Sequence, residues 1–140
     1  MLTFVLRITA ALALAGGVLP HTALADSPGE ELYLTYCASC HGAQADGNGP
    51  MNDVLTMKVP DLTTITQRND GNFPFLKVVH MVDGRSGVMA HGSEMPVWGD
   101  QFAEQFEREK SNGMKGDLST IYKVRGRVLS LVYYLESIQK

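Results

Sequence analysis

Residues 37–42 read Cys-Ala-Ser-Cys-His-Gly, and what this stretch does decides the fold. Cys37 and Cys40 are the only cysteines in the 140-residue chain, so any joint chemistry they have is with each other and with His41. Four uses fit such a pair: a structural disulfide, a metal clamp, a redox dithiol, or a covalent anchor for a prosthetic group.

The start of the chain narrows the choice. It opens MLTFVLRITAALALAGGVLPHTALADS. Arg7 supplies a positive charge, and residues 8–19 form an uncharged, mostly apolar run of signal-peptide type. Pro20 and His21 end that run well short of the roughly 20 apolar residues a spanning helix needs. Ala23-Leu24-Ala25 has the small-x-small form that signal peptidase reads. The expectation is a secretory leader over residues 1–25, cleaved after Ala25, and one exported, periplasmic domain over 26–140 with no permanent membrane span.

Without that leader the 12 basic residues lose Arg7 and stand against 15 acids, a formal charge of -4. The domain is mildly acidic and has no basic stripe, which argues against a nucleic-acid partner. Aromatic content is modest and glycine plentiful, so the core looks thin for its size. A buried prosthetic group would supply the missing apolar centre.

Weighed in this setting, the four uses separate. A disulfide across two intervening residues closes a very small loop and constrains the unfolded chain little. A structural zinc site wants four ligands, and no second cysteine pair completes one. A redox dithiol of thioredoxin type belongs in a βαβ setting, which the rest of the chain does not suggest. The remaining use is covalent attachment of a c-type haem, for which C-x-x-C-H is the signature. On a helical turn, residues three and four apart share a face, so Cys37, Cys40 and His41 can meet one macrocycle. The thiols would add to its vinyl groups while the imidazole reaches the iron.

The remainder of the chain reads as helix and loop. Ile121, Val124, Val128, Leu131, Val132, Leu135 and Ile138 recur at three- and four-residue steps, an amphipathic stripe that Ser119 or Asp117 could cap. The stretch GNFPFLKVVHMVDG predicts a short buried helix with Asn72 as its cap, Pro74 in the first turn, Gly84 just past the end, and Phe75, Leu76, Val78, Val79 and Val82 as its apolar residues. No alternating run is long enough to predict a strand, so the fold class is all-α. The run EQFEREKSNGMKGDLS, residues 104–119, reads as a charged, solvated insertion.

Three features resemble the class I, monohaem cytochromes c of exported bacterial type, and the likeness spans nearly all of residues 26–140. GEELYLTYCASCHG places Gly29, Tyr33 and Cys37 four apart, as in the family's N-terminal helix. VRGRVLSLVYYLESIQ carries Leu131 and Tyr134, like the C-terminal helix that crosses it. HGSEMPVWGD resembles the loop that delivers a methionine to the iron. The resemblance implies a cytochrome c-like fold, with long loops wrapping one haem c bound through Cys37 and Cys40. It also implies His41 and Met95 as axial ligands.

For the distal position, Met95 is followed by Pro96, bracketed by Gly92 and Gly99, and stands 54 residues beyond His41. Its rival is His91. Met81 falls in the middle helix, where a thioether is more often filler; Met51 and Met57 lie on the histidine side, and Met89 and Met114 lack a supporting motif. Pro60, in VPDLT, matches the family's proline whose carbonyl accepts a hydrogen bond from the proximal histidine, which would orient the ring and raise its basicity; an ordinary loop stop is the plainer alternative. Trp98 and Arg85 are candidates for hydrogen bonds to a haem propionate, with core packing as the alternative for Trp98.

Ligands on both faces leave the iron no open site, and a thioether raises the potential relative to two histidines. The function implied is one-electron carriage between redox enzymes, soluble or membrane-bound, with no catalytic residue needed. The competing classes are a haem enzyme or sensor with a labile distal ligand, and a fixed haem subunit of a larger oxidoreductase. Ready binding of carbon monoxide by the reduced protein would mark the enzyme or sensor.

Overall fold

The computed structural model of the chain describes residues 27–84, 95–109 and 118–140. The first helix, α1 (Pro28–Tyr36), starts at Ser27, whose hydroxyl accepts a hydrogen bond from the Glu30 amide at 3.1 Å. Pro28 in the first turn needs no intrahelical partner, and Glu30 and Glu31 sit where the helix dipole favours acids. A break at Cys37 leads into the single turn α2 (Ala38–His41). Short 3-10 turns at Pro50–Val54, Leu62–Thr64 and Gln67–Asn69 follow. Then come α3 (Phe75–Asp83), α4 (Trp98–Glu109) and α5 (Leu118–Ser137). Among the described residues there is no strand, so the all-α expectation holds.

The long helix α5 is the hub, with α1, α3 and α4 all packed against it. It crosses α1 at Gly29, where a Cβ would overlap the Ser130 carbonyl and stand 2.8 Å from Tyr134 Cβ. Only glycine permits this approach. One turn on, Tyr33 is fully buried with its ring 5.4 Å from that of Tyr134. Phe102 of α4 and Leu131 and Val132 of α5 complete the most deeply buried set. Val78, Val79 and Val82 bring α3 into the same core.

Several local expectations need correction. The charged run at 104–119 is no solvated insertion over its first half, because residues 104–109 continue α4 and Phe106 is buried. Glu104 and Arg108 are exposed and pair at 3.6 Å, whereas Phe102 and Phe106, four apart, are buried and Glu107 is half-buried, its Oε1 accepting from the Thr120 hydroxyl of α5 at 2.9 Å; residues 110–117 lie outside the described part. Asn72 does not cap α3. Pro74 takes the capping position, and the Asn72 side chain donates instead to the Asp70 carbonyl at 3.2 Å. Ser119 lies inside α5 rather than ahead of it, and Asp117 is outside the described residues. Leu76 is 70% exposed and Ile121 40% exposed, so neither belongs to the core. Gly84 does end α3, in the left-handed region at φ 89°, as only a residue without a Cβ does readily.

Candidate haem-attachment site

The site is built where α1 hands over to α2. Both cysteines are free thiols, half-buried, on the turn that ends at the buried His41. The amides of Cys40 and His41 both donate to the Cys37 carbonyl, at 3.1 and 2.9 Å, which closes the turn and sets residues 37, 40 and 41 on one side. Burial, and next the neighbouring Cys40, pushes the Cys37 thiol up to about 12. A redox dithiol or thiolate ligand needs the opposite shift. Among the described residues, moreover, no three His, Cys, Asp or Glu side chains converge as a metal site would require.

The loop after the motif is laid directly on it. Gly47 and Gly49 donate their amides to the carbonyls of His41 and Cys40, at 2.9 and 3.1 Å. A Cβ at Gly49 would overlap the Cys40 and Ser39 carbonyls. At Gly47, φ is 83° and a Cβ would lie 2.6 Å from the Val59 carbonyl and 3.1 Å from the Pro60 carbonyl carbon. This brings residue 60 behind the histidine. His41 Nδ1 stands 3.4 Å from the Pro60 carbonyl oxygen. With Nδ1 turned to that acceptor, Nε2 is the nitrogen that would coordinate an iron. The Tyr33 hydroxyl donates to the Gly42 carbonyl at 2.6 Å, tying α1 to the residue after the motif. Burial holds that phenol well above its usual range, hence protonated and a donor.

Beside the motif, a second cluster is assembled by rings. Met95 is half-buried, two residues before Val97 and three before the start of α4. Trp98 packs on Tyr36, the residue before Cys37, with centroids 5.4 Å apart, and on Phe102 at 5.8 Å. Tyr36 in turn meets Phe102 edge-on at 5.3 Å. These contacts set Trp98, the first residue of α4, against the residue before the motif. The junction of α3 and α4 fixes the start of that helix. A Cβ at Gly84 would stand 3.1 Å from Val97 Cβ, and one at Gly99 would stand 2.6 Å from the Asp83 carbonyl oxygen. Arg127 of α5 lies over Phe106 at 4.3 Å and donates to Gln105 Oε1 at 2.7 Å, the same oxygen that Tyr36 OH reaches at 3.1 Å.

The structure thus gathers Cys37, Cys40, His41 and Pro60 into one cluster, and sets Trp98 beside Tyr36. Arg85 and His91 lie outside the described residues. Sequence reading missed the aromatic set of Tyr36, Phe102 and Phe106; the recurrence of a ring at 98, 102 and 106 was the available signal. The donor set fits a c-type haem: two thiols on one turn, one imidazole with its Nδ1 facing a carbonyl, and backbone packed close by glycines.

A protein-family model described as Cytochrome c matches residues 27–109, more than half of the chain. No curated protein and no solved structure matches it. On the family match and the built C-x-x-C-H turn together, the chain belongs to the cytochrome c family, whose members are electron carriers using a covalently bound haem c.

Proposed function

We propose that this protein is a periplasmic one-electron carrier, exported with loss of residues 1–25 and acting as the single domain 26–140. The observation that carries the reading is the buried His41 with Nδ1 facing the Pro60 carbonyl, one residue from Cys40 and four from Cys37. When bound, the haem supplies a one-electron iron couple. The residues of this chain hold and tune it. Cys37 and Cys40 would tether it, and His41 and Met95 would hold its iron, as the proximal and the distal ligand. The packing of Trp98 on Tyr36 supports the Met95 assignment, because it draws the residue three after the methionine against the residue before the first cysteine.

The Pro60 carbonyl, as acceptor from His41, orients the ring and makes it the stronger donor. Trp98, beyond its ring contacts, and Arg85 are the proposed propionate partners. Partners in electron exchange are redox proteins, soluble or in membrane complexes; no helix of the described residues is long and apolar enough to cross a membrane.

The test is maturation in a host that ligates c-type haem. The product should have the mass of residues 26–140 plus one haem, surviving denaturation, and when reduced it should bind carbon monoxide poorly. Two free thiols in the mature product would sink the haem reading. Ready carbon monoxide binding would move the assignment to a haem enzyme or sensor.

A further inference from the structure

The tail beyond α5 returns to the loop that carries Pro60. Gln139 uses its whole side-chain amide there. Its Oε1 accepts from the Thr66 amide at 2.9 Å, and its Nε2 donates to the Leu62 carbonyl at 2.8 Å and the Leu135 carbonyl at 2.6 Å. The Lys140 amide adds a bond to the Thr63 carbonyl at 2.9 Å. The turn over 62–66 is therefore clamped to the end of the fold's central helix.

The same turn is anchored on its other side to the motif loop. The Leu62 amide donates to the Ala45 carbonyl at 2.7 Å, and Asp61 Oδ1 accepts from the Thr63 amide at 2.8 Å. Asp61 shares its peptide plane with the Pro60 carbonyl, so whatever fixes residues 61 and 62 fixes where that oxygen points. That oxygen is the acceptor facing His41 Nδ1. The path from Gln139 to the imidazole thus runs through one turn and one peptide plane. The matched family span ends at residue 109, so the clamp comes from a part of this chain beyond it.

We propose that Gln139 is a positioning residue for the axial imidazole: by holding the 62–66 turn it keeps the Pro60 carbonyl on His41 Nδ1 and so helps set the iron's potential. The proposal rests on the reading of His41 as an iron ligand through Nε2. A hydrogen-bonded imidazole is the better donor and favours the ferric state. Loosening the clamp weakens that bond and shifts the couple toward ferrous.

The experiment uses the ferric holoprotein, wild type and Gln139→Leu, with two readouts: the reduction potential, and exchange with solvent of the hyperfine-shifted His41 Nδ1 proton. In Gln139→Leu the proton should exchange about tenfold faster, and the potential should rise by up to about 59 mV, a tenfold shift of a one-electron couple. Gln139→Glu keeps the acceptor for Thr66 and loses both donors, so it should fall between; it carries the test if the leucine variant does not fold. Gln67→Ala removes only a 3.3 Å bond to the Lys140 carbonyl and should leave both readouts unchanged. Lower stability with wild-type potential and exchange in the Gln139 variants would overturn the proposal while leaving the ligand reading intact. A wild-type spectrum without an exchangeable, hyperfine-shifted imidazole proton would instead overturn the ligand reading itself.

Discussion

The two flanks of the site are held by different forces. On the His41 side, residues 37–66 are fastened by backbone hydrogen bonds and close glycine contacts, from Gly47 and Gly49 against the motif to Leu62 against Ala45. On the Met95 side, α4 is held by rings and a cation: Trp98 and Phe102 on Tyr36, and Arg127 over Phe106. Directional bonds at fixed spacing set position to a few tenths of an ångström. Ring packing is strong but tolerates sliding. Each side should therefore respond differently to substitution.

The largest effect belongs to the motif shared by both sides. Cys37→Ala combined with Cys40→Ala should give little folded holoprotein, read as haem-stained protein after denaturing electrophoresis. Undiminished folding of that variant would show that the polypeptide closes its core unaided.

Next comes the ring-held side. Phe102 is 1% exposed, and Phe102→Ala should cost about 3–5 kcal/mol in denaturant unfolding. On the hydrogen-bonded side, Gly49→Ala inserts a methyl group against the Cys40 carbonyl and should cost about 1–3 kcal/mol by overpacking. A Gly49→Ala protein as stable as wild type would mean that the loop rests on the motif less closely than described.

The smallest effect is electrostatic. The Thr63 hydroxyl and amide, with burial opposing them, hold the Asp61 carboxyl below its usual range. A carboxylate with a depressed folded value stabilises the protein above its ordinary value near 3.8, and that contribution disappears as the pH falls through the lowered one. Asp61→Asn should therefore be slightly less stable than wild type at neutral pH, with the gap closing in acid. A gap that widens on acidification would reverse the sign assigned here.

The hydrogen-bonded flank was also the more legible in sequence. Covalent haem chemistry demands two thiols and an imidazole at i, i+3 and i+4, and that demand is visible in six residues. The α1–α5 crossing was legible too, but only through the family resemblance carried by Gly29 and Tyr33 at one end and Leu131 and Tyr134 at the other. The helix α4 was not. Its second half is crowded in sequence with Glu104, Glu107, Arg108 and Glu109, and Pro96 just ahead of it suggested a loop; the rings at 98, 102 and 106 were hidden in a charged average. Periodicity also overreached. It placed Ile121 and Leu76 in their stripes, but they are 40% and 70% exposed, since period alone does not say how far a neighbouring element extends to cover a residue. The Gln139 clamp carries no sequence signal, since a side-chain amide bonding a backbone 73 residues away obeys no period.

The far-red absorption of the ferric holoprotein, compared across wild type, Met95→Ala and His91→Ala, tests most directly that one fixed imidazole and one thioether hold the iron. Wild type should show the weak sulfur-to-iron charge-transfer band. Met95→Ala should lose it, fall in potential and bind carbon monoxide when reduced, while His91→Ala should keep it. Loss of a wild-type axial ligand on changing His91, with Met95→Ala unchanged from wild type, would contradict that ligation and make the centre a lower-potential bis-histidine haem.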